Sequence, residues 1–480
     1  MKTRKTFLVY LSFLCLGFTP ILAMGQSLPH TFSANTSAKA SEVNANFTYL
    51  LERFGLRKTT VNCHSGESIT NALENYNHIE INGRCTENLD LDPPTNPHRL
   101  VIIEGGSNSC SVTTCTDGIT ASNASNPVVE AKGPFTIVLN KLRLAGGSEG
   151  FKSFAGTTII LENLLVEGNS GDGIASWGGT NTFIEDSTIQ NNGSFAIVSG
   201  GSSFSIIENN TITGHTNQGS INIESASSAF IDNNTITGSK YNGIEISRAS
   251  SANIVRNTIT GSTNGGGIRI KHVSNAILEG NVITGNYRTG LSIDENSTVT
   301  LAGGDTITNN SDRGIDVNAG SNLHMWCDDD TSATTISANT DNDAIHAGLN
   351  STLNLCGLTL AGPHEVGIRV GGGSSIYLRN MIITGSTDYG IRAFGAKVTA
   401  DNVTITGSSD AEIKSFDSTT RLRDSTITGT VGENEIKLYF GSKLFIESGT
   451  TITGTVRCAG NVDNSSIDNN ENVTIVTSGC

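Results

Sequence analysis

Residues 233–246 read Asn-Asn-Thr-Ile-Thr-Gly-Ser-Lys-Tyr-Asn-Gly-Ile-Glu-Ile, and residues 256–270 read Arg-Asn-Thr-Ile-Thr-Gly-Ser-Thr-Asn-Gly-Gly-Gly-Ile-Arg-Ile. Working outward, an apolar residue inside a Thr-Ile-Thr-Gly-like segment recurs at Leu144, Val166, Ile189, Ile212, Ile236, Ile259, Ile283, Ile307, Ile336, Leu360, Ile383, Ile405, Ile427, Ile452 and Ile475, with every interval but one spanning 22–25 residues. Eight or nine residues after it comes a second apolar pair, as in Gly243-Ile244-Glu245-Ile246 and Gly367-Ile368-Arg369-Val370. A third short stretch such as Ala252 to Arg256 completes each unit. Three short strands separated by Gly, Asn and Ser turns cannot bury their inward faces alone. Stacked at about 4.8 Å, each becomes part of a parallel sheet and the isoleucines merge into one core. The pattern predicts an all-β, right-handed parallel β-helix of about fifteen coils, each of about 22–24 residues. A leucine-rich repeat has a similar period but needs several leucines and a helical side in each unit, and this chain has neither. The repeated Asn210, Asn234, Asn257 and Asn281 are expected as left-handed turn residues that hydrogen-bond their equivalents in the next coil.

The Asn-Asn-Thr-Ile-Thr-Gly unit with its following Gly-Ile resembles the pectate-lyase-like superfamily of right-handed β-helices, over about residues 100–480. The resemblance implies the fold; the activity motifs of its pectin-cleaving members do not carry over. Arg269-Ile270-Lys271 and Asn339-Thr340-Asp341 look like the Arg-Ile-Lys and Asn-Thr-Asp of polygalacturonases but stand in reverse order, without the paired Asp or Gly-His-Gly. The Arg-x-Pro-x-x-Arg of pectate lyases is absent. The Asp-Pro-His of alginate epimerases is absent too; Asp92-Pro93-Pro94, in the cap, reads as a turn.

The N-terminus supplies a different signal. Lys2, Arg4 and Lys5 precede an apolar stretch from Phe7 to Leu22 and small residues at Ala23 and Gly25, so residues 1–25 read as a secretory signal peptide. No later segment has the roughly 20 continuous apolar residues of a membrane span. Cleavage would move the formal charge from −15 to −18, which opposes general binding to nucleic acid or anionic membranes. Eight cysteines remain. An even number in an oxidising compartment favours disulfides over metal ligation, and no spacing is zinc-like. The cysteines fall as neighbours, Cys63 with Cys85, Cys110 with Cys115, Cys327 with Cys356 and Cys458 with Cys480, but sequence alone does not fix their connectivity. The first and last pairs are each 22 residues, one coil, apart. Within residues 26–58, Ser41 caps a short amphipathic helix bearing Val43, Phe47, Leu50 and Phe54, read either as packed on the first coil or as an oligomerisation element over 41–54. Residues 59–100 read as a cap, with strands at Val61 and Ile79 to Ile81 and a helix over Ser68 to Asn75, and residues 101–480 as the solenoid.

Register converts the repeat into surface columns. On the Gly-Ile strand the residue between the inward pair, and the one after it, point outward. Arg269, Lys271, Asp294, Asp316, His346 and Arg369 then fall within five coils, a patch about 20 Å long. Cations that neutralise a sugar carboxylate beside groups that move a proton suit a polysaccharide lyase or glycoside hydrolase, so these six are the candidate catalytic residues. Further along, Phe394, Phe416 and Tyr439 stack beside Arg392, Lys414 and Lys437, and Trp177 shares the column; these seven are the candidate carbohydrate-binding residues. The same columns also fit solvated charges and an aromatic ladder that only stabilises the coils. No cofactor is expected. Asp328-Asp329-Asp330, in the enlarged coil, reads as a solvated loop, with calcium ligation the alternative. Pairs such as Thr211/Thr213, Thr258/Thr260 and Thr451/Thr453 resemble the arrays of ice-binding solenoids, broken at Val282, Ser337, Ala361 and Ile382. The functional expectation is a secreted protein that binds or processes an extracellular polysaccharide along the Gly-Ile face. A non-enzymatic, adhesin-like surface scaffold and an ice-binding face are the alternatives.

Overall fold

The computed structural model describes residues 57–92, 100–106, 110, 114–327, 334–337, 339, 342–429, 434–458, 466–469 and 476–478. The signal peptide predicted over 1–25, the helix predicted over 41–54 with any oligomer built on it, the Asp328 to Asp330 run and Cys480 lie outside them.

A coil is one circuit of three strands, for instance Thr235–Thr237, Ile244–Ile246 and Ser251–Val255. Each pairs in parallel with the same strand one repeat on: Ile236 opposite Ile259, Glu245 opposite Arg269, and Ile254 opposite Leu278. Repetition gives a solenoid of about 16 turns, with 47 strands among the described residues and three faces, here called the threonine, Gly-Ile and middle sheets. Most strands are short because a turn residue interrupts the alternation after three to six positions; Thr359–Gly371, Ser375–Phe394 and Lys397–Thr406 instead run on through a corner. Ile236, Ile244, Ile246 and Ile254 point inward and are fully buried, and one hydrophobic core runs from Val61 to Cys458. The middle sheet begins at Lys58–Asn62, which pairs with His78–Asn82 and through it with Leu100–Gly105. Between the first two lies the helix Ile69–Leu73, capped by the Ser68 hydroxyl. It is shorter than the Ser68 to Asn75 span predicted, because Asn75 turns its N–H to Ala72 in a tighter bond. Disulfides join Cys63 to Cys85, Cys110 to Cys115 and Cys327 to Cys356. Cys458 is also disulfide-bonded.

Polar ladders hold the corners. Asn257 accepts from the backbone N–H and the side-chain amide of Asn234, both at 3.0 Å, and donates to Ile231 O at 2.9 Å. It passes the same pair of bonds on to Asn281. Serines repeat the device at a second corner, from Ser203 through Ser227 and Ser250 to Ser274. Asn286, Asn310 and Asn339 do so at a third. One expectation needs correction: the left-handed residues are Asn209, Asn233 and Arg256, each just before the buried asparagine. The buried amide is needed for its bonds to the neighbouring coils, and the turn is taken by the residue outside it.

The first asparagine ladder ends on Asp305, which accepts from Asn281 with Oδ1 while its buried Oδ2 has no partner. Burial pushes this carboxyl up from 3.8 to about 6. A raised folded value means the native state holds a proton that the unfolded chain has already released. The group's stabilising share is therefore complete below about 3.8 and disappears as pH rises through about 6. Asp305→Asn mimics the protonated form. It is expected to stabilise the protein by about 3 kcal/mol at pH 8 and by nothing below pH 4, read from melting curves at the two pH values. A gain independent of pH would refute the account.

Candidate functional site

The outward column of the Gly-Ile sheet has the register read from the sequence. Ala175, Val198, Asn222, Glu245, Arg269, Ser292, Asp316, His346, Arg369, Arg392, Lys414 and Lys437 lie opposite one another in successive coils, and Arg457 continues the line. The first three are buried, as is Lys437, so the accessible stretch that holds the candidate residues begins at Glu245.

The six candidate catalytic residues separate into two groups. In the first, Arg269 pairs with Asp294 at 3.2 Å, Asp294 accepts from the Ser292 hydroxyl at 2.8 Å, and Lys271 pairs with Glu245 at 3.0 Å. All the charges here are matched. In the second, His346 Nδ1 lies 2.6 Å from Asp316 Oδ1, and Arg313 approaches the other Asp316 oxygen at 3.4 Å. Arg369 and Arg313 both reach Asp343, at 2.8 and 3.5 Å, and the Asp343 side chain is wholly shielded from solvent. Burial pushes the Asp343 carboxyl up against the pull of the two guanidinium groups. In the tautomer that donates from Nδ1 to Asp316, His346 keeps Nε2 as an acceptor, the arrangement of an oriented general base.

The aromatic residues stack as the spacing implies. Phe394 and Phe416 have ring centroids 4.6 Å apart, and Phe416 and Tyr439 4.5 Å. Arg392 lies over Phe394 and over Tyr389, and Lys414 over Tyr389, Phe416 and Tyr439. Lys414 also hydrogen-bonds the Tyr389 hydroxyl, while Lys437 pairs with Asp410. Burial, and then the neighbouring Arg392, pull the Lys414 ammonium below its ordinary value. Arg392 is different: its Nε is buried without an acceptor, and it has no carboxylate partner among the described residues. Trp177 is not part of this ladder. Its ring covers Gly200 one coil on, nine coils or about 43 Å from Phe394.

Sequence reasoning missed Arg313, Asp343 and Tyr389. They share one signal, standing two residues before the inward Ile315, Ile345 and Ile391, where the chain bends into the strand and the alternation no longer says which way a side chain faces. The polygalacturonase-like segments serve other ends: Arg269 is an ion-pair partner, and Asn339 belongs to a corner ladder. On the threonine sheet, eleven successive coils hold Thr from Thr211 to Thr451 except at Val282 and Ile382. The parallel column from Thr213 to Thr453 is interrupted by Ser337 and Ala361, and neither column carries a charge.

A family model described as right handed beta helix region matches residues 215–340. The chain is a right-handed parallel β-helix. A second model, described as periplasmic copper-binding protein (NosD), matches residues 103–270 of the β-helix. That stretch offers copper little: one histidine, no methionine, and two cysteines joined to each other. The histidine is His215, which burial pushes down to about 4. No group of three or more His, Cys, Asp or Glu among the described residues could hold a metal ion, and none of the described helices is long and apolar enough to cross a membrane. No curated protein matches the chain. Among solved structures, a periplasmic alginate epimerase aligns over 90% of this chain and 98% of its own, at 11% identity and a TM-score of 0.43. The N-terminal fragment of bacteriophage phi29 gene product 12 aligns over 84% and 87%, at 10% identity and 0.40. The A-module of a mannuronan C-5 epimerase from Azotobacter vinelandii aligns over 90% and 96%, at 14% identity and 0.35.

Proposed function

We propose that the β-helix binds an acidic polysaccharide laid along its Gly-Ile face, in an oxidising compartment outside the cytoplasm. The observation that carries this is the run Arg369, Arg392, Lys414, Lys437 and Arg457, one per coil, beside stacked Phe394, Phe416 and Tyr439. In a chain of net charge −15, a basic column with an unpaired arginine on an aromatic surface offers a polyanion charge and its sugar rings a flat apolar contact. The three described disulfides suit the compartment.

The test is calorimetric titration with polygalacturonate and with alginate, using a neutral glucan as control. Arg392→Gln, which removes a charge-assisted contact, is expected to weaken polyuronate binding roughly tenfold or more, and Phe416→Ala by a similar factor. Unchanged affinity in Arg392→Gln, or equal binding of the neutral glucan, would overturn the reading. The Asp316–His346 pair supports a second one, turnover of the bound chain, with His346 taking a proton while Arg369 or Arg313 holds a carboxylate. Release of unsaturated ends or new reducing ends, lost in His346→Gln with binding kept, separates turnover from binding alone.

A further inference from the structure

The middle sheet carries a shallow hollow of about 400 Å³ lined by His324, Met325, Trp326, Cys327, Asn354 and Arg379. Its floor is the inward-turned Met325 and the Cys327–Cys356 disulfide. Trp326 is 49% exposed at its edge, a large apolar surface left to solvent. Across the disulfide, one coil on from Cys356, stands Arg379. Its Nε is buried without an acceptor, and it makes no ion pair among the described residues. The reason lies in the next coil. Asp401, the acid opposite Arg379 in register, is already held by Arg423 and by the Tyr377 hydroxyl. Beside this column, Asn354 Nδ2 lies 3.3 Å from His324 Nδ1. With the amide donating to Nδ1, the ring presents Nε2–H as a donor, while Asn354 keeps Oδ1 as an acceptor.

We propose that this hollow binds a single acidic sugar unit, a hexuronate, with its carboxylate on Arg379, its apolar ring face on Trp326 and its hydroxyls on His324 and Asn354. A half-buried guanidinium without an ion-pair partner among the described residues favours an anion over a neutral sugar. An exposed indole favours a ring over a bare inorganic anion. The hollow lies on a different sheet from the basic column, so it stands or falls independently of the Gly-Ile face.

The chain has two tryptophans, so in a Trp177→Phe background the emission reports Trp326 alone. Titrating that protein with glucuronate is expected to quench or shift the emission saturably in the millimolar range. Glucose and acetate should each have no effect. Arg379→Gln should weaken the response roughly tenfold or more, Arg379→Lys should retain part of it, and Phe416→Ala should leave it unchanged. Far-ultraviolet circular dichroism of each variant checks that the solenoid is intact. No response to glucuronate, an equal response to glucose or acetate, or an undiminished response in a folded Arg379→Gln protein would each overturn the proposal.

Discussion

Asn257→Ala is expected to cost about 3–5 kcal/mol of stability, the effect of stranding several buried groups at once. The substitution removes the acceptor used by the Asn234 backbone and side-chain amides, and the donors given to Ile231 O and Val255 O. Asn257 is wholly buried, so bulk water does not reach these groups. Coils communicate mainly with their neighbours, so protection from hydrogen exchange should fall first in the coils around residues 231–281. A loss below about 1 kcal/mol in denaturant unfolding would mean that an ordered water replaces the amide, and that the ladder is not what fixes the corner.

The second large effect is expected at Gly290. Its φ is not in the left-handed region, so conformation alone would allow other residues there; space does not. A Cβ would come 2.4 Å from Ile307 Cγ2 and 2.8 Å from Gly314 O in the next coil, and backbone cannot yield as a side chain can. Gly290→Ala should therefore destabilise by about 2–3 kcal/mol, as overpacked cores do. It should also displace Leu291–Ile293, and with it the Ser292–Asp294–Arg269 hydrogen bonds. Gly285 is the control. It has a φ of +65° and open space around its Cβ position, so Gly285→Ala should cost only about 1 kcal/mol, from backbone strain. Equal losses in the two variants would show that the glycine before the strand is not set by the closeness of the coils.

The fold was legible because one repeat is one circuit. Once the period is known, Arg369 must face Arg392 and Phe394 must stack on Phe416. The ion pairs were less legible. Arg269 finds Asp294, one coil away and two positions along, because long side chains reach diagonally where a column diagram shows only direct neighbours. Asp343 escaped notice because it lies on a bend. The Trp326–Arg379 hollow joins a tryptophan at the edge of the enlarged coil to an arginine two coils on. Arg379 is remarkable only because Asp401 is already engaged, and availability of that kind appears only when all partners are placed. Burial of Ala175, Val198 and Asn222 was likewise invisible, since outward direction in a strand does not ensure access to solvent.

The ladders described above are directional. In each of the three, a backbone N–H is satisfied by the coil that follows it: Asn234 by Asn257, Ser227 by Ser250, Asn286 by Asn310. A chain that emerges from its N-terminus can therefore close a coil only after the next one has arrived. Assembly then proceeds like a zipper with its slider always one turn behind the newest residues. Along each ladder the newest turn stays open until its successor is in place.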